Sequence, residues 1–252
     1  MDFLVFQLQG PMAAWGDTAV GEFRPSLDAP GLSSLVGLLG AALGLRREDE
    51  AAHAALRDGY GYAVGVQSAG RLLRDYHTAQ VPGQASLKKR PHASRRDELA
   101  LPRDELNTIL STRDYRQDAA CLVAIQPRGE APYSLVELAE VLRCPRFVLY
   151  LGRKACPPAA PLFPQVISAG NAESAFEDYI LQLIARLNAL DKPHNRHGLP
   201  APQALERLIW GDGIRVDLVP DLTTSRKDRP IRRRGWQFGD RTEYQAFFRP
   251  EA

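Results

Sequence analysis

The chain has 252 residues, of which 44% are hydrophobic and 25% charged, a globular composition long enough for one large domain or two small ones. Its longest apolar stretch, Leu35 to Leu45, is about half of the roughly 20 residues that a membrane span requires, which excludes a transmembrane reading. The formal charge of +2 is unevenly placed: windows Ser86–Arg103 and Thr224–Arg241 hold 13 of the 32 Lys and Arg but 4 of the 30 Asp and Glu, leaving the other 216 residues at a net −7. Such a layout suits a protein that holds a phosphate backbone along a track, because the field of a basic patch is screened over about 8 Å at physiological salt. Solubilising loops would give the same count.

In chain order, Asp2–Gln9 alternates as a strand rich in Phe, Leu and Val, which Gly10-Pro11 is expected to end. Trp15 follows in a Gly-flanked loop, where it either stacks on a base or plugs the core edge; core is the stronger reading, since Trp is mostly buried on average. A helix is expected from Ser33 or Ser34, capped by a hydroxyl. Gly37, Gly40 and Gly44 then form one small-residue face that a sheet or an RNA backbone can approach closely. A polar helix over 47–56 and a strand over Tyr60–Val66 come next. Arg71–Thr78 gathers Arg71, Arg74, Tyr76 and His77 in eight residues.

The first basic window, with Lys88, Lys89, Arg90, Arg95 and Arg96 broken by Pro91, reads as an excursion over 81–118, a hairpin inserted between core strands. Ala119–Gln126 restarts the core as a strand, Ser134–Leu142 is a helix, and Arg146–Leu151 is expected to be the next strand. The order β-α-β-excursion-β-α-β is that of a ferredoxin-like, RRM-like α+β domain over 1–164. Gly152, Arg153 and Lys154 directly after it offer backbone N–H groups and two cations as a phosphate cradle, without the pattern of a nucleotide-hydrolysing loop. A solvated loop would look much the same.

Residues 165–252 read as a less regular extension that completes the core. It holds an amphipathic helix over 173–190 with Phe176, Ile180, Leu183, Ile184 and Leu187 on one side, a Pro- and Asn-rich linker over 191–202 and a strand over Ile214–Val219. The second basic run, Arg226–Arg234, and the aromatics Tyr244, Phe247 and Phe248 close the chain.

Cys121, Cys144 and Cys156 form no C-x-x-C pair and the five histidines no H-E-x-x-H pattern, so no metal and no cofactor is implied. No G-x-S-x-G or D-x-D motif is present. Cleavage of RNA without a metal needs a base and an acid within about 3 Å of the reacting atoms, and Tyr76, His77, Lys88 and Lys89 are suitable residue types. Closeness in sequence is not that geometry, and no catalytic residue is assigned. The N-terminus opens on Phe3-Leu4-Val5-Phe6 with no basic leader or cleavage site, so a cytoplasmic location is expected.

Four blocks then gather. Gly10-Pro11-Met12-Ala13-Ala14-Trp15-Gly16, the Gly-rich segment Leu35–Gly44, Leu73-Arg74-Asp75-Tyr76-His77-Thr78 and Tyr150–Pro157 together resemble the CasD subunit family of the type I-E CRISPR surveillance complex, Cascade. The resemblance spans residues 2–164 in the correct order. It implies a repeat-associated RNA-binding (RAMP-type) fold with a thumb, which caps the backbone filament and grips the 5′ handle of the guide RNA. It also implies contact with the adjacent backbone subunit and with the large subunit that reads the flank of the target DNA, in antiviral defence, with no catalysis of its own and no membrane partner. Carried onto this chain, the expected RNA contacts are Trp15, Ser33, Arg74, Tyr76, His77, Lys88, Lys89, Arg90, Arg153 and Lys154. Relatives often carry a Pro-Thr-basic-Ser pattern before the Gly-rich helix; here Pro30-Gly31-Leu32-Ser33 removes a hydroxyl and a cation and leaves Ser33. Two other functions compete: a metal-independent endoribonuclease that processes repeat RNA with His77 and Tyr76, and a protein scaffold whose basic windows meet acidic partners.

Overall fold

The computed structural model describes residues 1–88, 93–189 and 203–248. The first half holds β1 (Asp2–Ala13), β2 (Trp15–Gly16), β3 (Phe23–Arg24), β4 (Ser26–Leu27), α1 (Leu32–Leu43), α2 (Glu50–Asp58), β5 (Tyr60–Ser68), β6 (Arg71–Pro82), α3 (Gln84–Leu87) and α4 (Arg95–Leu99). After a 3-10 turn at Arg103–Glu105 come β7 (Leu106–Pro127), α5 (Leu135–Arg143), β8 (Gln165–Ser168), α6 (Ala172–Ala189), β9 (Arg207–Trp210), β10 (Leu222–Arg232) and β11 (Gln237–Phe247).

The main sheet runs β10-β11-β9-β5-β7-β1-β8, and β3 and β6 also pair with β7. Within it β5, β7, β1 and β8 are the four antiparallel strands of a ferredoxin-like sheet, with α1 and α5 as its crossover helices. The parallel pairing of β3 with β7 makes the sheet mixed. Alternation along β1 sends Leu4, Phe6 and Leu8 into the layer shared with α1 and α5, and Phe3 and Val5 into the opposite layer under α6. Burying each such side chain contributes on the order of 1.5–3 kcal/mol, so this strand is the spine of both cores.

Gly10-Pro11 does not end β1. The ladder to β7 steps from Gly10↔Ala119 to Met12↔Gln117, and Pro11, which has no N–H to give, falls opposite Asp118, where φ is 56°. The fourth core strand is also displaced. Residues 146–151 alternate as expected, but the backbone N–H groups of Arg146 and Phe147 donate to Ala42 O and Ala41 O at the end of α1, and no ladder forms. The edge place beside β1 is taken by β8. Likewise Ile214–Val219 is not a strand: Arg215 N–H donates to Gln126 Oε1, and the N–H groups of Asp217 and Leu218 donate to Glu173 Oε1. Side-chain acceptors there replace a sheet partner.

Helix α1 begins at Leu32 with Gly31 as its N-cap, and no serine hydroxyl caps it. Its glycines divide their duties. A Cβ on Gly40 would press on His53 of α2 at 2.7 Å, Gly44 closes the helix in a left-handed C-cap (φ 78°), and Gly37 lies under Arg233. Helix α5 does have the capping box: Ser134 Oγ accepts from Glu137 N–H, and Glu137 Oε2 accepts from Ser134 N–H at 2.7 Å.

Helix α6 packs Ala172, Ala175, Phe176, Tyr179 and Leu183 against Phe3, Val5, Leu122 and Ala124. In RRM-type modules this is the open face on which bases stack. Here it is core, so no base can stack on it. The expected linker over 191–202 lies outside the described residues.

Candidate nucleic-acid interface

The arms β6 and β7 pair continuously from Arg71↔Gln117 to Pro82↔Leu106 and project a hairpin tipped by α3, α4 and the 3-10 turn. Lys88 is exposed at the end of α3; Lys89 and Arg90 lie outside the described residues. Successive strand residues face opposite sides, so Arg74 and Tyr76 share one face and Asp75 and His77 the other. Tyr76 is 65% exposed. His77 is half exposed with Nδ1 3.9 Å from Asp75 Oδ2. The pair that a nuclease would use as acid and base is thus divided between two faces.

Arg74 forks onto Asp114, with Nε 2.8 Å from Oδ1 and Nη2 3.1 Å from Oδ2, and lies 5.4 Å over the ring of Phe23. Asp114 is only 4% exposed, and the Arg74 guanidinium holds its carboxyl below the ordinary carboxylate value. Arg74 therefore ties the base of the hairpin together. Arg74→Ala is expected to lower the melting temperature of the free chain by several degrees, because it strands a buried carboxylate; an unchanged melting curve would free Arg74 from this structural duty.

Loop 14–27, the first turns of α1, residues 148–153 and the β10–β11 hairpin enclose a groove of about 920 Å³. Trp15 belongs to its floor but is 3% exposed and part of the core, its backbone N–H donating to Ser26 Oγ at 3.0 Å; its ring is not presented for stacking. Ser33 lines the groove. Arg153 lines it too, with Nη1 donating to Asp114 O at 3.1 Å, Nη2 to Arg24 O at 3.0 Å and the guanidinium 4.6 Å over Tyr115. These contacts anchor Arg153 to the hairpin base, and Lys154 beside it is exposed.

The remaining wall comes from the second basic run, which the sequence marked by its charge without naming contact residues in it, and from Trp236, which it passed over. Arg226, Lys227, Arg233 and Trp236 line the groove from the β10–β11 hairpin. Burial, opposed by Glu50 and reinforced by Arg47, holds the Arg233 guanidinium below its ordinary value. The available signal was the aromatic inside the basic run Arg232-Arg233-Arg234-Gly235-Trp236. The hairpin reaches α1 through Asp228, whose Oδ2 accepts from Leu32 N–H at 2.8 Å while Arg241 grips the same carboxylate. Among the described residues no group of three or more His, Cys, Asp or Glu is placed to hold a metal ion, and no helix is long and apolar enough to cross a membrane.

Residues 3–244 match the family described as CRISPR-associated protein (Cas_Cas5). The chain belongs to this CRISPR-associated family. Within it, the chain is 34% identical over 187 residues, 70% of its length and 76% of the relative's, to the CRISPR system Cascade subunit CasD of Escherichia coli (strain K12). Two solved structures share the family member's fold. One, described as a CRISPR RNA-guided surveillance complex, superposes with a TM-score of 0.63 at 22% identity and covers 97% of this chain and 89% of its own. The other, a crystal structure of a Cas protein, gives 0.58 at 25% identity and covers 97% and 94%.

Proposed function

We infer that this subunit binds the 5′ handle of a guide RNA along the groove and the projecting hairpin, and caps the end of a backbone filament. Its general role, a non-catalytic subunit of a CRISPR Cascade complex, comes with the family. The observation that carries the finer reading is the charge of the groove. Among the described residues Arg24, Arg153, Arg226, Lys227 and Arg233 line it against Asp17 and Asp228, and Asp228 is already paired with Arg241. On a body that is acidic outside its two basic windows, such a wall draws a polyanion.

In this reading the RNA-binding core runs through β8, past the expected boundary at 164, the hairpin from Arg71 to Gln117 is the thumb, longer than the expected 81–118, and the β10–β11 hairpin of the C-terminal extension closes the groove. Ser33, Arg153 and Lys154 serve the groove, and Tyr76 and Lys88 the thumb. The further partners are the adjacent backbone subunit, the large subunit and, in the assembled complex, nearby target DNA, all in the cytoplasm. The placement of Tyr76 and His77 on opposite faces favours binding over cleavage.

The test incubates the full chain with labelled 5′-handle RNA and with a whole repeat, with EDTA present and across a salt series. Intact RNA retained in a handle-preferring, salt-dependent way is the expected result; cleavage of the repeat, or retention indifferent to salt, overturns it. Lys154→Ala is expected to lower the slope of log affinity on log salt by about 0.7, the value for one single-strand phosphate contact.

A further inference from the structure

The second basic run builds more than a charged wall. Between β10 and β11 the turn Arg233-Arg234-Gly235-Trp236 is closed by Trp236 N–H donating to Arg233 O at 3.2 Å. Gly235 and Trp236 both have left-handed backbone, with φ of 80° and 51°. For a bulky aromatic that conformation is an outlier, and such outliers gather at ligand-holding positions. What it achieves is placement. The indole of Trp236 lines the groove, steadied by the Arg47 guanidinium 4.5 Å over its ring and by Phe238 stacked at 6.3 Å, and the residue stays 54% exposed. Trp15 and Trp210 are both buried, so Trp236 is the exposed one of three.

Arg226 and Arg233 line the same groove, and the Nε atom of each is buried without a hydrogen-bond partner. Buried donors are nearly always satisfied, and leaving one unpaired costs stability. Neither cation is fully neutralised from within. Glu243, 3.4 Å from Arg226, is shared with Arg241 at 2.7 Å. Glu50 accepts from the backbone N–H groups of Arg233 and Arg234, and among the described residues no carboxylate forms an ion pair with the Arg233 side chain. An exposed aromatic and two under-paired guanidiniums in one groove match the two halves of a nucleotide.

We propose that the β10–β11 hairpin is a clasp for one nucleotide of single-stranded RNA, its base stacked on Trp236 and its phosphate accepting from Arg226 and Arg233. This rests on the reading of the groove as an RNA interface and adds a subsite to it from the C-terminal extension. Stacking on an indole tolerates any base, and guanidinium forks fit phosphate oxygens. The clasp therefore grips a strand at one point without reading its sequence.

The exposed indole gives a direct readout. Adding handle RNA to the full chain is expected to quench tryptophan emission, and Trp236→Phe to abolish that change, since Trp15 and Trp210 are buried. Trp236→Ala is expected to weaken retention about 5- to 150-fold. Arg226→Gln combined with Arg233→Gln is expected to lower the salt slope by about 1.4, roughly 0.7 for each contact. If the wild-type chain retains RNA but Trp236→Ala binds as tightly and Arg226→Gln with Arg233→Gln keeps the same slope, the clasp is wrong and the groove reading survives. If the wild type retains no RNA, both fall. DNA of the same sequence binding more tightly, with equal quenching, would reassign the hairpin to DNA and overturn the RNA clasp.

Discussion

Gly152→Ala is expected to destabilise the free chain by about 2–5 kcal/mol, a fall of roughly 5–15 °C in melting temperature for a protein of this size. Two effects add at this residue. Its φ is 85°, where an L side chain costs about 1–2 kcal/mol, and a new Cβ would overlap the carbonyl oxygen of Ala14. That oxygen is backbone and cannot rotate away. Ala14 N–H also donates to Leu151 O at 2.9 Å, so the end of β1 and the loop before Cys156 are clamped around the glycine; overpacking such a contact costs about 1–3 kcal/mol. Gly129→Ala separates the two effects, because Gly129 has φ 52° and open space where its Cβ would go. It is expected to show the backbone cost alone. Equal melting temperatures for the two variants would mean that the loop yields without disturbing β1. If the junction does shift, Arg153 loses its acceptors at Asp114 O and Arg24 O, and RNA retention falls with stability.

Much of the fold was legible because it depends on local pattern. The period-2 runs at Phe3–Phe6, Tyr60–Val66 and Ala119–Gln126 became the three central strands, and Ser134 with Glu137 announced a helix start through a capping box. What was not legible depends on partners distant in sequence. Residues 146–151 alternate as well as any strand, but Asp2–Val5 pair with β8 instead. Trp15 and Trp236 look alike as letters, each in a loop beside a glycine; packing buries one and leaves the other open. Arg74, expected at the RNA, is engaged by a carboxylate on the opposite arm of the hairpin. Period and composition report on neighbours, whereas the groove is lined by four separate stretches of chain.

Asp228→Asn is expected to cost about 2–4 kcal/mol and to weaken RNA retention, although it removes negative charge from the groove. The wild-type carboxylate holds two things at once: Oδ2 accepts from Leu32 N–H in the first turn of α1, 196 residues away in sequence, and both oxygens accept from Arg241 at 2.6 and 2.9 Å. Asparagine keeps the shape but has one acceptor oxygen, so its NH₂ must face either the helix N–H or the guanidinium, donor against donor. Losing a helix cap costs about 0.5–2 kcal/mol and breaking a buried pair about 3–5. Glu243, still 2.7 Å from Arg241, brings the total down. Pure electrostatics predicts the opposite sign for RNA, since one acid fewer should tighten a polyanion. If the groove depends on the hairpin being pinned to α1, geometry wins: α1 frays at its first turn, Arg226 and Arg233 move apart from Ser33, and retention falls. A thermal melt, amide exchange at residues 32–35 and a mobility shift on the same sample decide it, and tighter binding by a destabilised chain would show that the charge of the wall matters more than its shape.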